Sequence, residues 1–463
     1  MHPDMIQEKL AELRRTFASQ KTAGYSWRRS QLLALQRFLA ERENDLAEAV
    51  RMDFGKSPAE MFFTETAFVG GEVRHALRNL RKWMKPDRAR IPLHYRFGRA
   101  RAEACPLGVV LVIGAWNYPV NTCLAPLVSA LAAGNCVVLK PSEQAPHTSR
   151  LLAEGIANYL DDSAVEVVQG GAEEARALLR ERFDCIFYTG SRRVGREIMQ
   201  TASGTLTPVI LELGGKCPCI VEKNTNLRAA ARRIVWAKFL NAGQTCIAPD
   251  YLLAHRDVAD ELLPELKKAI GTLYGPDPER SADYARIVSH RHFDRLESLM
   301  HAGNIAAGGE RDRNDRYIAP TILTDISPDD PVMKEEIFGP LLPVLTYGTI
   351  NEALSIVSRN PDPLAVYLFT PDKAVTEKVK GSVRSGGLCI NDLLFQSAIH
   401  GLPFGGTGLS GFGRYHGRAG FDAFSYRRSV FHHSIFPDPS LRYPPYGPAK
   451  FGFLRKIVEM FDT

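Results

Sequence analysis

Five short apolar runs rich in β-branched residues constrain this chain most: Val109–Ile113, Cys136–Leu139, Val165–Val168, Cys185–Tyr188 and Val209–Leu211. They have strand length and are mostly continuous rather than alternating, so they predict strands buried on both faces. Helical stretches separate most of them, such as Ser149–Tyr159 and Ala172–Arg182. Buried strands alternating with helices predict a parallel, doubly wound α/β sheet. A second alternating region starts near Ala229, with helices at Ala229–Leu240 and Ala259–Leu273 and strands at Pro343–Thr346 and Ala365–Phe369. At 463 residues the chain exceeds what one core organises, so two such lobes are expected, joined near Leu213-Gly214-Gly215.

Before the first strand, roughly 85 residues are helical in pattern, with good helix formers and few breakers between Arg28 and Met52. The N-terminus carries Leu10, Leu13 and Phe17 at helical spacing and has no apolar leader run, so a cytoplasmic protein is expected. Arg88–Glu103 and Phe421–Phe436 fit neither lobe and read as extended arms that build a small hairpin appendage. After the turn at Tyr443-Pro-Pro-Tyr-Gly-Pro448, a short helix with Phe453, Leu454, Ile457 and Val458 is expected to pack on the protein rather than on a membrane. The 58 basic and 52 acidic residues leave a net charge of +6, and no basic tract suggests nucleic acid. Eight scattered cysteines read as free thiols, and Cys217-Pro-Cys219 reads as strand packing rather than a metal site.

Several segments carry possible chemistry. In Asn241-Ala-Gly-Gln-Thr-Cys-Ile247, small residues flank Cys246 and permit close approach, although any of the eight cysteines might sit so. Glu212 ends an apolar strand beside Gly214 and Gly215, where it serves as an edge charge, a helix cap or a catalytic base. Trp116-Asn117-Tyr-Pro119 follows the strand Val109–Ile113; Asn117 is either a turn residue or a donor to an oxyanion. Lys140-Pro-Ser-Glu143 follows the next strand, where Lys140 and Glu143 are placed to hold ribose hydroxyls. Gly190-Ser191-Arg-Arg-Val-Gly195 should open a helix whose N-terminus favours pyrophosphate. Glu335-Glu336-Ile-Phe338-Gly-Pro340 and Leu402-Pro-Phe-Gly-Gly-Thr-Gly408 set aromatics beside glycines, and His416 reads as structural or as a surface contact.

Taken in order, W-N-Y-P, K-P-S-E, Y-T-G-S-x-x-V-G, E-L-G-G-K, G-Q-T-C, E-E-I-F-G-P and P-F-G-G-x-G resemble the aldehyde dehydrogenase superfamily along almost the whole chain. The A-P-D-Y after Cys246, Y-H-G and R-Y-P-P-Y resemble its class 3 branch of fatty, benzaldehyde-like and coniferyl aldehyde dehydrogenases. The resemblance implies two doubly wound parallel-sheet domains and a β-hairpin oligomerisation arm. Residues 1–85 and 105–211 would bind dinucleotide, 212–410 would be catalytic, 86–104 and 420–440 would form the arm, and 441–463 a docking tail.

It further implies Cys246 as nucleophile, Glu212 as general base and Asn117 as oxyanion donor. Trp116, Lys140, Glu143, Gly190, Ser191, Gly195, Gly214, Glu336 and Phe338 match cofactor contacts. The cofactor would be NAD or NADP: Glu143 favours a free ribose hydroxyl pair, whereas Arg192 and Arg193 suit a 2′-phosphate. The substrate would be a medium-chain aliphatic or aromatic aldehyde, and the assembly a homodimer. Many relatives have a histidine near Gln396, which leaves the fine choice of aldehyde open. An acylating, coenzyme A-dependent dehydrogenase and a non-catalytic binding protein on the same fold are the competing readings; Glu212 argues against the first, and the joint presence of Cys246, Glu212 and Asn117 against the second.

Overall fold

A computed structural model describes residues 3–91 and 98–461. Its first sheet has six strands, in the order Gly411–Phe412, Val209–Leu213, Cys185–Gly190, Val109–Ile113, Cys136–Lys140 and Val165–Val167. All neighbours run parallel except Gly411–Phe412, which is antiparallel to Val209–Leu213. The second sheet has seven strands: Asn304–Ala307, Thr321–Thr324, Leu341–Tyr347, Tyr251–His255, Pro218–Val221, Ala365–Phe369 and Gly387–Ile390. Only Asn304–Ala307 is antiparallel to its neighbour. In sequence, the strand Val209–Leu213 of the first sheet is followed by Pro218–Val221 of the second.

The strand Val109–Ile113 shows why the buried runs need no polar positions. Val110 and Val112 enter the core beneath the helices Tyr25–Glu41, Ala67–Met84 and Asn121–Ala133. Val109, Leu111 and Ile113 enter the core on the opposite face, with Ile6, Leu10 and Leu13 of the helix Pro3–Ala18. A strand covered on both faces carries apolar side chains at every position. Helix-on-strand packing leaves little slack: a Cβ on Gly195 would lie 2.9 Å from Leu213 Cδ2.

Both segments that fit neither lobe meet in one antiparallel sheet, in which Gly98–Pro106 lies between Asp87–Arg88 and Ser425–His433. Residues 92–97 of the expected arm fall outside the described residues. The start of Phe421–Phe436 is not extended, because Gly417–Ala423 is helical and Phe421 and Phe424 are buried in the core. In the C-terminal helix, Pro448–Phe461, Phe453 and Val458 of the expected packing residues are exposed and Leu454 and Ile457 half-buried. No helix among the described residues is long and apolar enough to cross a membrane.

The N-terminal helix is held by Ile6, Leu10 and Leu13, all nearly inaccessible. Leu10→Ala is expected to cost about 2–5 kcal/mol through transfer and cavity terms, and the urea midpoint should fall accordingly. An unchanged midpoint would show that this helix adds nothing to the core.

Candidate active site

Parallel strands deliver their following loops to one end of a sheet, and ligand sites form there. The loop that carries Cys246 arrives from the second lobe, after the helix Leu227–Phe239. Asn241, Ala242 and Gly243 follow with φ of 53°, 49° and 74°. Two non-glycine residues in succession in the left-handed region store strain, and such strain collects at functional sites. Gln244 holds the turn: its Nε2 donates to the Asn241 and Arg286 carbonyls, both at 3.0 Å, and its Oε1 accepts from Val288 N at 2.9 Å. Beyond the cysteine, Tyr367 Oη donates to the Ile247 carbonyl at 2.5 Å. Cys246 itself is half-buried, and burial, with Glu336 and Glu212 adding to it, pushes its thiol up to about 12. The sequence left its thiolate environment open; in this structure the environment favours the thiol.

Glu212 is neither an edge charge nor a cap. Its strand is paired on both sides, opposite Thr189 and Gly411, and the side chain is buried. Neither carboxylate oxygen has a hydrogen-bond partner. Desolvation pushes the carboxyl well above its ordinary range, with Arg414 pulling weakly the other way. A Cβ on Gly405 would lie 2.7 Å from Glu212 Oε1, so the P-F-G-G turn closes directly on this carboxyl.

Glu336 forms the second buried carboxyl, pushed up to about 8 by desolvation and then by Asp250. Its Oε1 is unpartnered, and a Cβ on Gly214 would collide with the carboxyl group. Gly214 is therefore required for close approach, not for a special φ. Sequence reasoning missed the ion pair that fixes this loop. Lys216 Nζ pairs with Asp250 and donates to the Val332 and Glu335 carbonyls at 2.8 and 3.0 Å; Asp250 Oδ1 accepts from Ile337 N at 3.0 Å. Lys216 ends E-L-G-G-K and Asp250 lies in A-P-D-Y, so the only signal was their place in those motifs.

Asn117 is buried, and its Nδ2 donates to the Gln244 carbonyl at 3.0 Å. An amide nitrogen has two hydrogens, so this contact leaves a second donor. Trp116 sits among Phe54, His292 and Phe338, with ring centroids 6.3, 5.4 and 5.3 Å away. Phe338 adopts φ of 50°, another non-glycine residue in the left-handed region.

The remaining positions border the carboxyl ends of the first sheet. Lys140 is buried, with Nζ donating to the Gly170 and Pro141 carbonyls at 2.8 and 3.1 Å and to Glu143 Oε2 at 3.3 Å. Glu143 is exposed. Gly190 ends its strand, and Ser191 caps the helix Arg192–Ser203, its Oγ accepting from Val194 N at 3.4 Å. Gly195 lets that helix approach Leu213. The two arginines are engaged elsewhere: Arg192 Nε donates to the Gly214 carbonyl at 3.2 Å, and Arg193 pairs with Glu197 at 2.7 Å.

His416 is not a surface contact. It is buried, stacks on Phe404 at 5.2 Å, and is pushed down to about 4 by burial. Beside it, Glu72 accepts from Gly417 N at 2.9 Å and pairs with His400 Nδ1 at 2.6 Å. This clamp holds the segment that carries Phe404 and Gly405 against the helix Ala67–Met84.

Residues 3–430 match the model of the aldehyde dehydrogenase family. The chain is 46% identical to an aldehyde dehydrogenase of Craterostigma plantagineum, covering 96% of this chain and 94% of that protein. It is 44% identical to human aldehyde dehydrogenase family 3 member B1, covering 98% of each. A solved structure of Staphylococcus aureus AldH in its substrate-bound state superposes with a TM-score of 0.95 at 39% identity, over 98% of this chain and 99% of that one. The relatives' family 3 names agree with the class 3 resemblance.

Glu336 titrates near 8 when folded but near 4.5 when unfolded, so folding binds a proton in that window and stability falls as pH rises through it. Glu336→Gln removes that loss. Without cofactor, the variant should melt near the parent at pH 4.5 and increasingly above it towards pH 8. An offset that does not vary with pH would mean that the carboxyl is not its source.

Proposed function

This chain belongs to the aldehyde dehydrogenase family, and we propose that it oxidises an aldehyde to the acid through a covalent adduct on Cys246. The observation that carries this reading is the buried, unpartnered carboxyl of Glu212, near enough to Cys246 to disfavour its thiolate. A buried polar group without a partner is costly, and such groups gather where chemistry needs them.

The cofactor is NAD or NADP, and the residues fit it. Gly190 and Ser191 present the start of a helix to a pyrophosphate, and Lys140 with Glu143 borders the ribose position. The orphaned Glu336 Oε1 suits a second ribose hydroxyl, and Phe338 with Trp116 walls a flat ring. When bound, the oxidised nicotinamide supplies a hydride acceptor and a positive charge. With Arg192 and Arg193 both engaged and Glu143 exposed, the geometry favours the unphosphorylated cofactor.

Within this frame the Cys246 thiol gives up its proton to water and adds as the thiolate to the carbonyl carbon. The second N–H of Asn117 and the Cys246 backbone N–H stabilise the oxyanion, and losing one such donor typically costs about 3 kcal/mol. Collapse expels the aldehydic hydrogen as hydride and leaves a thioester. In its ionised form Glu212 then takes a proton from water, which attacks the thioester and releases the acid. A base at Glu212 distinguishes hydrolysis from transfer to coenzyme A.

A cleft of about 150 Å³ reaches Gly405 and is lined by Leu364, Leu388, Leu402, Pro403 and Phe404, with Gln396 as its polar side chain. Such walls suit a medium-chain aliphatic or aromatic aldehyde. Exposed Ile435, Phe436, Phe451 and Phe453 on the arm and tail support a homodimer. On this reading residues 1–85 and 105–211 bind the dinucleotide and residues 212–410 carry the catalytic groups.

Octanal and benzaldehyde should reduce NAD or NADP with the purified protein; silence across a broad aldehyde panel would remove the assignment. Glu212→Gln should give a single-turnover burst of reduced cofactor and then stall. Unchanged steady-state turnover in that variant would acquit Glu212. Asn117→Ala should lower kcat by about 10²–10³-fold, read by stopped-flow absorbance.

A further inference from the structure

The loop that carries Asn117 rests on a buried ion pair that no step above uses. Lys56 and Glu65 are both fully inaccessible and meet at 2.8 Å. Glu65 belongs to a π-helical turn, Phe62–Thr66, a form often found at functional sites. Its second oxygen, Oε2, accepts from the backbone N–H groups of Val120 at 2.7 Å and Asn121 at 3.3 Å. Asn121 returns a bond from Nδ2 to the Thr64 carbonyl at 3.0 Å. On the other side, Lys56 Nζ donates to the Asn117 carbonyl at 3.3 Å and lies 4.2 Å from the centroid of the Tyr118 ring.

Two more bonds join this platform to the nucleophile loop. Asn241 Nδ2 donates to the same Asn117 carbonyl at 2.8 Å, and Tyr118 Oη meets Thr245 Oγ1 at 2.6 Å. Asn117 is thus held at its main-chain carbonyl by Lys56 and Asn241, and at its side chain by Gln244. An apolar pair could fill the same volume with no loss of stability, since desolvating two charges offsets much of their attraction. It could not accept from two loop N–H groups while donating to a third loop residue's carbonyl.

We propose that Lys56 and Glu65 are positioning residues, whose buried pair sets the location of the Asn117 amide relative to Cys246 and so the rate of the chemical step. The proposal rests on the reading of Asn117 as oxyanion donor. A displacement of about 1 Å at such a donor is enough to cost roughly 10²-fold in rate.

The test is a set of variants in full-length protein: Lys56→Met, Glu65→Gln and their combination, each with Asn117 and with Asn117→Ala. Rates of the first turnover are read with saturating NAD, alongside aldehyde KM and the thermal midpoint. Lys56→Met should slow the first turnover by about 10–100-fold and leave KM within about threefold. The combined variant restores neutrality but not the donor to the Asn117 carbonyl, so its thermal midpoint should recover while its first turnover stays as slow as that of Lys56→Met. With Asn117→Ala in place, Lys56→Met should slow the reaction by less than about twofold, because the two changes act on one group.

Equal slowing by Lys56→Met with and without Asn117 would overturn the positioning role and leave the oxyanion reading intact. No slowing in Asn117→Ala alone would overturn that reading, and the proposal with it. If Lys56→Met does not yield folded protein, Glu65→Gln, nearly isosteric, runs through the same comparison, and the same two results decide it.

Discussion

Dry packing around Cys246 governs every ionisable group near it. In water, a thiol and two carboxyls would each titrate near their ordinary values. Here burial acts on all three in the same direction, holding Cys246, Glu212 and Glu336 in their neutral forms. The two carboxyls add to this at the thiol, so a charge on either makes the thiolate harder still to form. The nearby charges that are present close on one another, as Lys216 does on Asp250, and offer the thiol little help. A bound cation beside the thiol would change that balance most, and the oxidised nicotinamide ring is one.

The fold maintains this dryness by bringing two lobes together at their loop-bearing ends. Glu212 ends a strand of the first sheet, and Cys246 follows a helix of the second lobe. Glycine makes the contact close enough: Gly214 admits the Glu336 carboxyl, and Gly405 admits that of Glu212. The left-handed residues Asn241, Ala242 and Phe338 show the backbone cost of reaching that arrangement, roughly 1–3 kcal/mol for each such residue.

Strands were the most legible part of the sequence. A strand buried on both faces, such as Val109–Ile113, writes its environment into every residue, and its bounds agree with the sequence reading. Helix ends were less so; Ala259–Leu273 is in fact Arg256–Tyr274, because His255 supplies an N-cap that composition does not reveal. The tail was less legible because an apolar side chain in a short helix signals burial without saying against what. At the site, residue types and order pointed to Cys246, Glu212 and Asn117 only through resemblance. Local sequence could not distinguish Glu212 from an edge charge, since its meaning lies in the absence of any partner. Lys56, Glu65, Lys216 and Asp250 escaped for the opposite reason: each pair lies beyond a helical turn, 9 and 34 residues apart, and a lone lysine or acid reads as solvated surface.

Separation in sequence also bears on how the protein comes to be active. The bond from Asn117 to the Gln244 carbonyl spans 127 residues, and the bond from Gly417 to Glu72 spans 345. Contacts of such separation close large loops and form late, after local helices and neighbouring strands. During synthesis the helix with Glu72 emerges early, yet it must wait for almost the entire chain before Gly417 arrives. Turnover in this enzyme therefore reports complete folding more strictly than helix content does. A chain stopped short of Gly417 would keep most of its secondary structure and lack the clamp over its own active centre.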